Sequence, residues 1–234
     1  MAGTAPQPGA GAQARRPMRA TPAAPWLAWP GWAHLRYALG HILLVSLWFG
    51  LVYVGLDRLT AWRTWRVPIH MAWELDIPLI PAFVLAYVSM NGIFLLVPFA
   101  LRQRQEIARL AREQIWVIAL SGLGFLLLPA DLAYGAPQNL GIWEHLFRWA
   151  DQVNLDHNLA PSLHVALSVV CVEHLATRDG HVTRWLLRGW AMLIAISTLL
   201  THQHHVLDVL TGYALALGVR FYFQRRCYKL AGSM

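Results

Sequence analysis

The fold of this chain is decided first by residues 77–101, IPLIPAFVLAYVSMNGIFLLVPFAL, which contain no charged side chain. A helix needs about 20 predominantly apolar residues to cross the hydrocarbon core of a bilayer, so this stretch is long enough to span one. The composition agrees, because 57% of the 234 residues are hydrophobic and only 13% are charged, against roughly a quarter charged in soluble domains. The sequence therefore predicts an all-α, polytopic membrane protein.

The same criterion, applied along the chain, predicts six membrane-spanning helices. The predicted spans are residues 37–56, 77–101, 114–130, 161–176, 185–200 and 204–223. They predict a six-helix bundle that forms one membrane domain over residues 34–226. We expect a disordered cytoplasmic tail over residues 1–33, rich in Ala, Pro and Gly, and a short C-terminal tail over residues 227–234.

Basic residues are distributed unevenly among the predicted connections. Fifteen of the 19 lie in the two terminal flanks and in the second and fourth connections, whereas the others hold only Arg58, Arg63, Arg66 and Arg148. Cytoplasmic loops carry an excess of Lys and Arg, so both termini are predicted to be cytoplasmic, in a cell (inner) membrane. The net charge of +7 is explained by this topology signal without a nucleic-acid partner.

Two short segments place titratable residues beside apolar spans. They are residues 161–164, PSLH, and residues 204–208, HHVLD. In the predicted topology both segments lie at the extracytoplasmic ends of spans, so we expect them to meet on the outer side of the membrane. Ionisable groups at that depth are costly unless they are paired or used, which makes the two segments a candidate functional site.

These residue types suit phosphoryl transfer from a lipid. Asp208 lies one helical turn after His204, so its carboxylate can hold one imidazole nitrogen and leave the other free to attack as the nucleophile. His164, from the other segment, is the candidate general acid for the leaving oxygen. Ser162 offers a hydroxyl next to backbone N–H groups at a helix N-terminus, a position that favours phosphate. The reaction would pass through a phosphohistidine.

The two segments resemble the second and third signature motifs of the type 2 phosphatidic acid phosphatase superfamily. The matching residues are 160–166, APSLHVA, and 197–209, STLLTHQHHVLDV, and the resemblance covers about residues 35–224. It implies a six-helix, metal-independent enzyme in which His204 is the nucleophile, Asp208 orients it and His164 is the acid. Residues 76–81, followed by Tyr87, resemble a branch that includes inositol phosphorylceramide synthases and bacterial lipid phosphatases.

The chain departs from the pattern of this superfamily at two places. Thr198 occupies a position where the superfamily has an arginine, and residues 129–131, PAD, lack the lysine and arginine of its first motif. Those cations would neutralise the phosphate. The next basic residue is Arg148, which we expect to bind phosphate from the outer loop together with Ser162.

Three functions are consistent with the sequence. The first is a lipid phosphatase acting on a phosphatidic acid-like or isoprenoid phosphate, and the second is a phosphotransferase that moves a phospho-headgroup to a lipid alcohol. The third is a non-enzymatic protein in which His202, His204, His205 and Asp208 hold a metal, or paired span histidines hold a haem. The ordered pair of motifs favours phosphoryl chemistry, so we expect no metal and no cofactor. The expected partners are a lipid phosphate substrate and the bilayer.

Overall fold

The computed structural model describes residues 28–155, 157–177 and 180–231, and it is mostly helical. The α-helices within these ranges are α1 Trp32–Ala61, α2 Val84–Val88, α3 Met90–Ala100, α4 Arg104–Leu127, α5 Glu144–Val153, α6 Leu163–Leu175, α7 His181–Leu200 and α8 Val206–Ala231. Short 3₁₀ helices cover Ala72–Asp76, Pro81–Phe83 and Gly141–Trp143. Two-residue strands, β1 Val67–Pro68 and β2 Ala130–Asp131, pair in parallel.

Within the described ranges, four helical segments are long and apolar enough to cross a membrane. They are Trp32–Ala61, Pro81–Ala100, Arg104–Leu127 and Val206–Arg226. In α1 the leucines Leu43, Leu47 and Leu51 are at least 60% exposed, as expected for a helix whose apolar face meets lipid. The chain is therefore a helical membrane protein, and the six-span count and the orientation of the termini stay predictions.

Helix α6 forms the centre of the bundle. Eleven of its 13 residues are buried, on every face of the helix, and it contacts α3, α4, α7 and α8. Its length of about 20 Å is shorter than the hydrocarbon core of a bilayer, which is about 30 Å thick. Because other helices surround α6, protein rather than lipid covers its sides.

Two predicted spans have different bounds in the structure. The helical part of residues 77–101 begins at Pro81, because Pro78 and Pro81 cannot donate backbone hydrogen bonds within a helix. Helix α4 begins at Arg104, ten residues before the predicted start, because Glu106 caps the helix by accepting a hydrogen bond from the Gln103 N–H at 3.1 Å. The search for uncharged stretches found the apolar part of α4 but missed its charged first turns.

The second apolar segment is interrupted at Ser89, between α2 and α3. The segment consists of three successive pieces and not of one regular helix. They are a 3₁₀ turn, the five residues of α2 and the 11 residues of α3. Irregular backbone inside a membrane domain is tolerated where protein buries it. Tyr87 lies beside this interruption and is buried.

The connections at one end of the bundle pack into a cap over α6 and α8. The parallel strand pair joins the α1–α2 connection to the α4–α5 connection. Helix α5, inside the predicted outer loop, packs Phe147 and Ala150 against Val84 and Tyr87 of α2. The cap therefore surrounds the N-terminal end of α6.

The predicted terminal tails lie largely outside the described residues. Residues 1–27 of the predicted N-terminal tail are among those not described, and α1 begins at Trp32. At the other end, α8 continues to Ala231, five residues beyond the predicted domain boundary at residue 226.

Candidate active site

His204 and Asp208 form a buried pair at the start of α8. The His204 Nδ1–H donates to Asp208 Oδ2 at 3.3 Å, and the same oxygen accepts the His205 backbone N–H at 2.9 Å. The two side chains are 4% and 0% exposed. Since an ionised carboxylate only accepts hydrogen bonds, the proton lies on Nδ1 and the lone pair of the ring lies on Nε2. This is the tautomer that a histidine nucleophile requires.

The turn that carries His204 is held by the end of α7. The backbone N–H groups of Gln203 and His204 both donate to the carbonyl of Thr198, at 2.9 and 3.2 Å. His202, within this turn, adopts a positive φ of 55°. Thr198 therefore positions His204 through its main chain, at the position where the superfamily pattern has an arginine.

His164 occupies the first turn of α6 and faces the same pocket as His204. Its Nε2–H donates to the carbonyl of Tyr87 at 2.9 Å, and its ring stacks on the Tyr87 ring with centroids 3.9 Å apart. Because a carbonyl only accepts, Nε2 carries a proton in this arrangement. A proton for a leaving group would then come from Nδ1 of the doubly protonated ring.

Ser162 joins the two histidine segments. Its backbone N–H donates to the carbonyl of Asp208 at 3.0 Å, and its hydroxyl accepts the Val165 N–H as the N-cap of α6. Gly212 makes the approach possible, since a Cβ at this position would lie 2.5 Å from the Ser162 carbonyl oxygen. Ser162 is fully buried, and its hydroxyl is used within the helix cap.

His164 and His204 both line one cavity of about 100 Å³. This volume is several times the minimum of about 10–15 Å³ that admits one water molecule, so the cavity has room for a small polar group. Its lining residues are Phe49, Tyr53, Tyr87, Val88, Met90, Asn91, Trp149, Ala150, Val153, Asn154, Asn158, Leu163, His164, Leu167 and His204. We refer to it as the histidine pocket.

Arg148 is not brought to the histidine pocket. It lies on α5 with its side chain 48% exposed and 3.6 Å from Glu144, one turn earlier on the same helix. Its neighbours Trp149 and Ala150 contribute to the wall instead. Among the described residues, the wall contains no Lys, Arg, Asp or Glu, and its polar groups are the two histidines, two tyrosines and three asparagines.

His205 has a structural environment. Its Nδ1–H donates to Glu74 Oε2 at 3.2 Å, and its Nε2 accepts the Ala133 N–H at 3.1 Å. Burial lowers the pKa of His205, against the opposing effect of the carboxylates of Asp208 and Glu74. The ring is therefore held neutral and joins three connections of the cap.

Glu74 and Tyr134 complete this arrangement, and sequence reasoning did not identify Glu74. The Glu74 carboxylate is fully buried and also accepts the backbone N–H groups of Met71 and Val206, at 3.0 and 2.9 Å. Tyr134 stacks on His202 and on His205. Burial, reinforced by the negative charges of Glu74 and Asp208, raises the pKa of Tyr134 to about 12. No spacing pattern connects Glu74 to residues 131 and 132 positions later in the chain.

The segment that leads into the PSLH motif is fixed by α1. Asp57 accepts the backbone N–H of His157 at 3.0 Å and its ring Nδ1–H at 3.1 Å. One turn earlier, the Tyr53 hydroxyl accepts the Leu155 N–H and donates to Asn154, both at 3.2 Å. These contacts place Asn154 and Asn158 in the wall of the histidine pocket, and they too were not predicted.

The described residues contain no group of three His, Cys, Asp or Glu side chains arranged to hold a metal ion. His202 lies apart from the pair formed by His204 and Asp208, because its Nε2–H donates to the carbonyl of Ile77 at 2.9 Å. His205 is held by Glu74 and Ala133. No observation in this part of the chain favours the metal-binding alternative.

The fold and the site define a helical membrane protein with paired histidines suited to phosphoryl transfer. Residues 75–221 match the PAP2 superfamily, so the chain belongs to this superfamily of type 2 phosphatidic acid phosphatases. Its members are phosphatases or phosphotransferases, which supports a membrane enzyme of phosphoryl transfer. A comparison with curated proteins gave no match.

Proposed function

We propose that the protein is an integral membrane lipid phosphatase that removes phosphate from a phosphatidic acid-like or isoprenoid lipid through a phosphohistidine. The observation that carries this proposal is the placement of His204 and His164 in the wall of one pocket. Asp208 holds the proton of His204 on Nδ1. The nitrogen left with a lone pair is then available to attack phosphorus.

In the first step the His204 Nε2 attacks the phosphorus of the lipid phosphate. An N–P bond forms while the P–O bond to the lipid breaks, and the leaving oxygen takes a proton from Nδ1 of His164. The Asp208 carboxylate stabilises the positive charge that develops on the His204 ring. The product of this step is phosphorylated His204 and a free lipid alcohol.

In the second step water resolves the phosphohistidine. The neutral His164 takes a proton from the attacking water, an O–P bond forms, and the N–P bond to His204 breaks. Inorganic phosphate leaves and both rings return to their starting protonation states. His164 thus acts as acid in the first step and as base in the second.

We propose that the site faces the extracytoplasmic side of the membrane. The arginine distribution supports this orientation, because the connections on the histidine side hold four of the 19 basic residues. The lipid headgroup would approach the histidine pocket from the outer leaflet, between α5 and the interrupted α2–α3 segment that line it. Arg148 retains a proposed role only in attracting the phosphate to the pocket, at about half exposure on α5.

Phosphate release from purified protein tests the proposal. The full chain in detergent, with a metal chelator present, should release inorganic phosphate from phosphatidic acid or from a prenyl pyrophosphate. His204→Ala should abolish release, whereas His145→Ala, which changes an exposed histidine of α5, should retain it. Wild-type turnover by His204→Ala would overturn the nucleophile assignment. Loss of activity in chelator, restored by a divalent metal, would overturn the metal-independent mechanism.

A lipid phosphotransferase is the second candidate, and the absence of Lys and Arg from the described wall of the pocket favours it. A phosphate monoester carries a charge of about −1.5 to −2 at pH 7, whereas a phosphodiester carries one negative charge. Burying the larger charge without a cationic side chain costs more. The wall described above contains no Lys or Arg, so a phosphodiester headgroup donor suits it better.

Adding a lipid alcohol separates the two candidates. If the enzyme is a phosphotransferase, a phosphodiester lipid should give a new phospholipid only in the presence of an acceptor such as ceramide or diacylglycerol. Release of inorganic phosphate at the same rate with and without the acceptor supports the phosphatase. The phosphohistidine at His204 is shared by both reactions, so His204→Ala should abolish either one.

A further inference from the structure

A second polar cavity lies at the other end of α6 and α8. It measures about 690 Å³ and is lined by Glu173, Ala176, Thr177, Arg184, Arg188, Leu217, Arg220, Phe221 and Gln224. Along α6, Glu173 lies nine residues beyond His164, a distance of about 14 Å at 1.5 Å per residue. We refer to this site as the arginine cavity, and its lining shares no residue with that of the histidine pocket.

A buried ionic group lies next to the arginine cavity and shares Arg220 with its lining. Glu113 of α4, His174 of α6 and Arg220 of α8 are 4%, 8% and 9% exposed. Glu113 Oε2 lies 2.9 Å from His174 Nε2 and 3.6 Å from Arg220 Nη1. A second guanidinium nitrogen of Arg220 donates to the carbonyl of Glu173 at 3.0 Å. Ionisable groups are rare inside membrane domains unless they are paired or functional, and these contacts fix Arg220 at the cavity.

The wall of the cavity carries excess positive charge. Arg188 donates to both carboxylate oxygens of Glu173, at 2.6 and 2.9 Å, so these two charges balance each other. Arg184 donates from Nε to the carbonyl of Ala176 at 3.3 Å, a contact that neutralises no charge. Among the described residues, the lining therefore contains three guanidinium groups and one carboxylate, that of Glu173.

The cavity also has an exposed apolar side. Leu217 and Phe221, one turn apart on α8, are 41% and 53% exposed, and both line the cavity beside the arginines. Guanidinium groups bind phosphate oxygens in a fork geometry. Basic pockets between membrane helices recognise anionic lipid headgroups. A headgroup phosphate at Arg184 would leave its acyl chain along Leu217 and Phe221.

We propose that the arginine cavity binds the phosphate headgroup of an anionic phospholipid from the leaflet opposite the histidine pocket. The bound lipid is a structural ligand and not the substrate, because the cavity contains none of the residues proposed to react. This site is independent of the proposed function. It would exist in a phosphatase or in a phosphotransferase.

Lipid binding to the His204→Ala protein tests the proposal without turnover. The full chain in neutral detergent is titrated with phosphatidylglycerol, phosphatidylcholine or inorganic phosphate. Native mass spectrometry measures bound lipid, and thermal unfolding measures stabilisation. We expect phosphatidylglycerol to bind and to raise the unfolding temperature, while phosphatidylcholine and inorganic phosphate at the same concentration do neither.

Charge variants locate the binding site. Arg184→Gln should weaken phosphatidylglycerol binding at least fivefold, and Arg184→Lys, which keeps the charge without the fork geometry, should restore part of it. Arg58→Gln removes the same charge from an exposed position in the last turn of α1, away from the arginine cavity. This variant should bind phosphatidylglycerol like the parent protein. Equal binding by the Arg184→Gln and Arg58→Gln proteins would overturn the proposal. Equal binding of phosphatidylcholine, or the same stabilisation by inorganic phosphate alone, would also overturn it.

Discussion

Asp208 accepts two hydrogen bonds with one carboxylate oxygen, from the His204 ring and from the His205 main chain. Its other oxygen is buried and has no hydrogen-bond partner among the described residues. A buried carboxylate with an unsatisfied oxygen is costly. We infer that the site bears this cost because it keeps a full negative charge next to the His204 ring, which becomes positive in the proposed phosphorylation.

Replacing Asp208 with Asn tests this requirement. The amide retains the size of the side chain and one acceptor oxygen, but it loses the charge and can impose the wrong tautomer on His204. We expect kcat to fall by about 10²- to 10⁴-fold with little change in KM. Steady-state kinetics on the chosen lipid phosphate measures this effect. A variant that loses only substrate affinity would contradict the orienting role.

Because His205 is neutral in the folded protein, we expect the protein to become less stable in acid. Its pKa is lowered below the ordinary value of 6.5 by burial, so the unfolded chain binds a proton that the folded protein does not. Stability from this residue is present above pH 6.5 and is lost as the pH falls below that value towards the folded pKa. The titratable groups around the ring are Glu74, Asp208, His70 and Tyr134.

Thermal unfolding in detergent between about pH 8 and pH 5 measures the effect of His205. The unfolding temperature should decrease towards the acid end. His205→Gln can still donate to Glu74 and has no titrating ring, so its unfolding temperature should depend less on pH. An identical pH dependence in both proteins would exclude His205 as the source.

At the residue scale, the sequence predicted candidate reacting groups and missed the groups that position them in the structure. His164, His204 and Asp208 could be found because they lie in short motifs whose spacing has chemical meaning. Glu74 and Asp57 could not, because each contacts a histidine at least 100 positions away in the chain. Only the folded connections bring these carboxylates to their partners.

At the scale of elements, the contact between α6 and α8 determines the geometry of the histidine pocket. Gly212 of α8 lies against the backbone of Ser162, where a Cβ would be 2.5 Å from the carbonyl oxygen and 3.2 Å from the nitrogen. Backbone atoms cannot rotate away as a side chain can. Any larger residue at position 212 must separate the two helices that carry His164 and Asp208.

Gly212→Ala should therefore lower stability by about 1–3 kcal/mol, through overpacking, and reduce activity. Gly218→Ala in the same helix is the matched control, because a Cβ there has no atom within 4 Å. Thermal unfolding and phosphate release are measured for both variants. Equal behaviour of the two would show that the α6–α8 approach is not tight.

The sequence located the helices more reliably than it located their ends. Apolar runs predicted a helix in each of the six regions, and the predicted end of the fifth span at Leu200 is the end of α7. The start of α4 depends on a cap at Gln103 that lies among charged residues. The interruption at Ser89 follows no Gly or Pro signal immediately beside it. It was not predicted.

At the scale of the whole molecule, the histidine pocket and the arginine cavity lie at opposite ends of α6. If α6 lies across the membrane as predicted, the two sites open towards different leaflets. The chain belongs to a superfamily of membrane phosphatases and phosphotransferases, and the sidedness of its site decides which lipid pool it can use.

Cysteine labelling on intact cells measures this sidedness. Gly135→Cys and Gln105→Cys place thiols at exposed positions near the two ends of α4. Both changes are made in a protein in which Cys171 and Cys227 are replaced. We expect a membrane-impermeant maleimide to label position 135 in intact cells and position 105 only after permeabilisation. The reverse pattern would place the histidine pocket on the cytoplasmic side.

The ring of His164 is oriented by the main-chain carbonyl of Tyr87, at the interruption between α2 and α3. A substitution at position 87 changes the side chain and keeps that oxygen, so the acceptor that fixes the tautomer of His164 remains. The position of the acceptor depends instead on the number of residues between Val84 and Met90. A one-residue insertion or deletion there would carry the acceptor away from the ring, and evolution of this segment should proceed by replacement and not by change of length.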